Sequence, residues 1–95
     1  MTELEEVRNE ISEIDGEIVS LIARRTKLAE KVLESKKEMD KAINDETQNQ
    51  AVIGRATNAA TELNLDTGAV KQIFEILIKM NIERQHELRG EGNLP

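Results

Sequence analysis

Arg25 and Lys36 stand eleven positions apart in a stretch whose apolar residues recur with a helical rhythm. Eleven residues turn through about 1100°, roughly 20° past three full turns, so both side chains leave the same helix face. Their Cα atoms are ~16 Å apart at the helical rise, and both side chains are long enough to converge on one ligand between them. Arg8 lies roughly 25 Å before Arg25 on the same helix, beyond the reach of that ligand. In an antiparallel two-fold pair, however, Arg8 of one chain approaches Arg25 of the other. Further along, Asn81 and Gln85 extend the stripe Val70, Phe74, Leu77 with neutral amides where Leu or Ile is expected. Converging cations opposite uncharged donors describe a pocket for a small, oxygen-rich anion.

The cations are set into a seam. Steps of three and four from Arg8 pass through Ile11, Asp15, Ile18, Ile22, Arg25, Ala29, Val32 and Lys36. An adjacent row, Leu4, Val7, Ile11, Ile14, Ile18, Leu21, Leu28 and Val32, is almost purely aliphatic. A 3-4 rhythm of this kind normally carries apolar side chains alone. Each unpaired cation placed at such a stripe costs several kcal/mol by order of magnitude, so something anionic belongs against it. Taken singly, Arg8, Arg25 and Lys36 also fit solvated helix faces, and Asn81 and Gln85 also fit interface polars.

Composition narrows the class. At 95 residues the chain makes one domain, here residues 1–95, and a small one. One Phe and no Trp or Tyr leave an aliphatic core, and 34% charged residues with a single proline fit helices better than a sheet. Absent cysteine and a single His leave no thiolate site or ordinary zinc site, and no metal or cofactor is expected. A net charge of −6, no Lys/Arg block and no stacking aromatics argue against nucleic acid. No run reaches the length of a membrane span and the N-terminus is acidic, so a soluble cytoplasmic protein is expected.

Three helices must position these residues: one long, two shorter. The first is expected from about Thr2 to Met39, with Glu3, Glu5 and Glu6 at its dipole-positive end. Asp40 to Asn44 reads as a connector, and Asp45 as the N-cap of a second helix carrying Val52, Ala56, Ala59, Ala60 and Leu63. Asn64 to Thr67 is the next break, with Asp66 or Thr67 capping a third helix. Its inner face is Val70, Ile73, Phe74, Leu77, Ile78 and Asn81, and it ends near Leu88 before a frayed tail. Two short helices cannot cover both apolar rows of a helix ~55 Å long, which calls for a partner chain.

These residues carry a resemblance. Val7-Arg8-Asn9-Glu10-Ile11 with Ile14-Asp15, then Leu21-Ile22-Ala23-Arg24-Arg25 with Leu28-Ala29, resembles the all-helical chorismate mutases of the AroQ type. Lys36, Ile43-Asn44-Asp45, and Ile73 to Ile78 with Asn81 and Gln85 complete an ordered set running from about Leu4 to Leu88. Each piece is an ordinary helical pattern; the order and spacing are what is specific. The resemblance implies an all-α fold of three-helix chains intertwined as a homodimer with two identical sites. It implies that Arg25 and the partner's Arg8 bind carboxylates, that Lys36 and Gln85 donate to the ether oxygen, and that Asn81 helps hold a carboxylate. Asp45 would shape the start of the second helix.

The chemistry implied is the unimolecular rearrangement of chorismate to prephenate, which uses no nucleophile, metal or redox cofactor. Restraint of the dianion and donors preplaced at the ether oxygen are what such a reaction requires. At the start of helix two the resembled family has Arg followed by Glu, contacting a carboxylate and the ring hydroxyl; this chain has Gln48 and Asn49. Exchanging a charge-assisted bond for a neutral one lowers binding by roughly 1–2 kcal/mol, about tenfold. Two other readings stay open on sequence: an isochorismate–pyruvate lyase, which shares the fold and much of the cationic site, and a non-catalytic helical dimerisation or regulatory module.

Overall fold

The computed structural model describes residues 2–35 in full, the backbone of 36–38, and residues 44–90. These form three helices and no strand: α1, Glu3–Glu38; α2, Glu46–Glu62; and α3, Thr67–Leu88. The all-α, one-long-two-shorter architecture expected from the apolar periodicity is the one found. The expected connector from Asp40 to Asn44, apart from Asn44 itself, and the tail beyond Gly90 lie outside the described residues.

Local chemistry sets the boundaries. Thr2 Oγ1 accepts from the Glu5 backbone N–H at 3.2 Å while Glu5 Oε2 accepts from the Thr2 N–H at 3.3 Å, a reciprocal capping box that starts α1. Asp45 caps α2 by accepting from Gln48 N at 3.1 Å. Of the two candidate caps for α3, Asp66 takes the position, accepting from Ala69 N at 3.0 Å. Between α2 and α3, Asn64 adopts φ 58°. Leu65 N reaches Ala60 O at 2.8 Å and Asn64 N reaches Thr61 O at 3.2 Å, so the last carbonyls of α2 are satisfied by a Schellman turn.

α3 packs against both other helices, whereas α1 and α2 do not meet directly; a cleft stays open between them. Small residues let α2 approach: Ala56 and Ala60 are buried. Ala59 and Leu63, on the same run of helical spacing, are not buried: Ala59 is exposed and Leu63 is 70% exposed. Leu63 is already the C-cap, where the chain leaves the helix, so the 3.6-residue register no longer aims it inward. Ile73 is likewise exposed, at the outer edge of α3's apolar stripe.

The core is thin. Leu33 joins the two alanines as the only buried apolar residues among those described, and no large side chain is fully enclosed. Every residue from 2 to 21 is exposed, including Leu4, Val7, Ile11, Ile14, Ile18 and Leu21. No helix among the described residues is long and apolar enough to cross a membrane.

Candidate functional site

The cleft between α1 and α2, floored by α3, encloses about 280 Å³. α1 contributes Arg25, Ala29 and Val32; α2 contributes Gln48, Asn49 and Arg55; α3 contributes Asn81 and Gln85. Among the described residues no acidic side chain lines it, and its polar lining is two arginines and four amides. A larger groove of about 470 Å³ lies along the α2–α3 pair and shares Asn49, Ile78 and Ile82 with the first. Its charged lining is Glu46, Glu75 and Glu83 against Lys71 and Lys79, an acidic excess that does not suit an anion.

The third helix runs parallel to α1 here and fixes the site's donors one turn apart. Arg25 Nη1 donates to Asn81 Oδ1, while Asn81 Nδ2 donates to Thr26 Oγ1 at 3.4 Å, and the Thr26 hydroxyl in turn donates to Ile22 O at 2.9 Å. One turn on, Gln85 Nε2 donates to Ala29 O at 2.7 Å. Asn81 and Gln85 are both buried, 8% and 4% exposed, and each is hydrogen-bonded, as buried polar groups must be. Each Nε2 or Nδ2 carries two hydrogens, so Gln85 keeps one N–H for a ligand after serving Ala29. At the outer side of the α1–α3 contact, Arg84 Nε pairs with Glu30 at 3.1 Å and Nη1 with Glu87 at 3.4 Å, exposed bridges of small energetic worth.

Arg25 is half-buried, and its pKa lies below the usual arginine value, chiefly because burial disfavours the charged form and secondarily because Arg55 is a nearby like charge. Both effects raise the free energy of the empty cationic site, and both are offset by an anion placed between the guanidinium groups.

The structure therefore brings together Arg25, Gln48, Asn49, Asn81 and Gln85 in one cleft. It does not bring Arg8 there: Arg8 sits on the exposed first half of α1. Asp45 is outside the lining, and its described role is the cap of α2. The Lys36 side chain lies outside the described residues. Sequence reasoning did not place Arg55 and Thr26 in the site. The 48, 52, 55 spacing could have found Arg55, since it keeps one helix face; Thr26 had no signal beyond its place beside Arg25.

An all-helical chain whose cleft gathers cations and amides suited to a small anion is thus the class that fold and cleft define. Residues 7–86 match the family model of chorismate mutase type II, and the chain belongs to that family, whose members are isomerases. It is 38% identical over 88 residues to the chorismate mutase of Methanocaldococcus jannaschii, covering 93% of this chain and 89% of that protein. It is also 32% identical over 81 residues to the bifunctional chorismate mutase/prephenate dehydratase of Buchnera aphidicola subsp. Schizaphis graminum, 85% of this chain but only 21% of that longer protein.

Proposed function

We propose that this protein is a chorismate mutase that converts chorismate to prephenate on the route to phenylalanine and tyrosine. In this rearrangement the ether C–O bond breaks as a C–C bond forms within one molecule, so no proton, electron or group is exchanged with the protein. The protein's part is to hold the dianion compact and to stabilise charge developing on the ether oxygen. The observation that carries the reading is the cleft of Arg25, Arg55 and buried amides, with no acidic side chain lining it among the described residues, in a chain belonging to this family.

Arg25, aimed by Asn81, binds one carboxylate. Gln85, its orientation fixed by the Ala29 carbonyl, donates its second N–H to the ether oxygen, and Lys36 supplies a charged donor to the same atom. Asn81 adds its remaining N–H toward a carboxylate, Gln48 and Asn49 offer neutral donors at the entrance of α2, and Asp45 holds that entrance in place. Losing a single preplaced donor of this kind lowers turnover by about 10²–10³. No cofactor takes part, and residues 1–95 work as one domain in the cytoplasm.

The functional unit in this reading is an intertwined homodimer in which Arg8 enters the partner's site. The accessible surface of the chain is 7517 Å². A compact monomer of 10.7 kDa would expose only roughly 5,500 Å². The excess of roughly 2,000 Å² per chain, about 4,000 Å² for a pair, lies in the range of obligate dimers. The α1 stripe from Leu4 to Leu21 supplies its apolar part.

The deciding experiment follows loss of chorismate absorbance with the purified protein and identifies the product. Prephenate formation, reduced about 10²–10³-fold by Arg25→Ala in a protein that stays dimeric, is expected. Salicylate with pyruvate would make the protein a lyase, and no consumption by a folded dimer would leave a helical interaction module.

A further inference from the structure

Arg55 borders the cleft from α2 together with Gln48 and Val52. These positions are seven and four residues apart from Gln48, and seven residues fall about 20° short of two turns, so the three form one line along the helix. Arg55 thus stands about 10 Å deeper along α2 than Gln48, across the cleft from Arg25. Neither arginine is neutralised among the described residues, whose ion pairs are those of Arg84 with Glu30 and Glu87 and none of whose carboxylates lines the cleft. Two like charges gathered at one opening disfavour the empty state, and a ligand with two carboxylates relieves both. Arg25 can serve one carboxylate; Gln48 and Asn49, the other polar groups of α2 in the cleft, carry no charge.

We propose that Arg55 is a substrate-binding residue that shares with the partner's Arg8 the carboxylate not held by Arg25, and so makes the site selective for dianions. The identity of that dianion as chorismate rests on the mutase reading above. A carboxylate carries its full charge in the ground state and the transition state alike, so loss of a contact that only neutralises it appears in KM rather than in kcat.

The test compares wild type, Arg55→Ala and Arg55→Lys by initial rates on chorismate and by thermal melting with and without chorismate. Arg55→Ala is expected to raise KM about 10-fold or more, the worth of a charge-assisted bond, with kcat within about threefold. Arg55→Lys recovers part of the loss, because the charge returns without the bidentate fork. The unliganded melting temperature does not fall in Arg55→Ala, since a repulsion has been removed; a purely structural arginine would lower it. An unchanged KM in Arg55→Ala, with wild type turning chorismate over, overturns the assignment and leaves the mutase reading standing. If wild type does not consume chorismate, the mutase reading fails separately, and melting decides on Arg55. A chorismate-induced rise lost in Arg55→Ala then keeps Arg55 as a dianion-binding residue, and no rise in wild type overturns it.

Discussion

From 22 to 33, α1 lies against α3: Thr26 and Ala29 bond to its amides, Arg25 is held by Asn81, and Leu33 is buried. From 2 to 21 the same helix, with the same apolar spacing, is exposed at every residue; Ile11, Ile14 and Ile18 are each about half exposed at 52%, 52% and 50%. One half has its cation, Arg25, oriented in a cleft, and the other has Arg8 in the open. An amphipathic stripe records that a surface is to be buried, but not which chain buries it. In the dimer proposed above, the difference between the halves is the difference between an intrachain and an interchain contact, and the predictions below probe it.

The largest effect is expected from Ile11→Glu combined with Ile18→Glu. On a helix that stays in solvent, such changes are worth within about ±0.5 kcal/mol each. If a second chain covers the stripe, they bury two unpaired carboxylates, and the dimer is lost together with about 100-fold or more of the chorismate turnover. Sedimentation velocity and the chorismate assay read both quantities.

Gln85→Glu acts on the covered half. A carboxyl donates only when protonated, so turnover should fall tenfold per pH unit above its pKa, whereas the wild-type amide brings no such dependence. Burial, and the Ala29 carbonyl that now faces it, push that pKa above the ordinary glutamate value of about 4.3. Because the folded-state pKa exceeds the unfolded one, the variant loses stability as pH rises through that window and is most stable at acid pH. A rate profile and melts across pH 4 to 9 test the two signs together, and a flat profile contradicts the donor role.

Asn64→Ala is the smallest expected change. It keeps both halves of α1 intact and removes only the side chain that tolerates φ 58° at the α2–α3 turn. A loss of about 1 kcal/mol in denaturant unfolding, with turnover unchanged, is expected for an L-residue forced into the left-handed region.

Much of this was legible without coordinates. The apolar periodicity gives all three helices, and Thr2, Asp45 and Asp66 stand where caps are needed and prove to cap. The stripe that ends in Asn81 and Gln85 gives the two amides that the structure buries. What periodicity could not give is partnership. Nothing in the spacing says that Asn81 orients Arg25, because that bond joins residues 56 positions apart. Leu63 is exposed at the C-cap of α2, and a helical wheel carries no information about where a helix ends. Arg55 lies nearly two turns beyond Gln48, and which face of α2 it shares with the cleft is fixed only by how α2 packs on α3.

The central claim is that a complete site draws Arg25 from one chain and Arg8 from the other. It is tested most directly by mixing Arg8→Ala and Arg25→Ala proteins in equal amounts, unfolding and refolding them together, and measuring prephenate formation. Each variant alone should be nearly inactive. Random pairing makes half the dimers mixed, each with one intact site of two, so the refolded mixture should recover about a quarter of wild-type turnover. Activity no greater than that of the separate variants would show that Arg8 and Arg25 do not meet in a shared site.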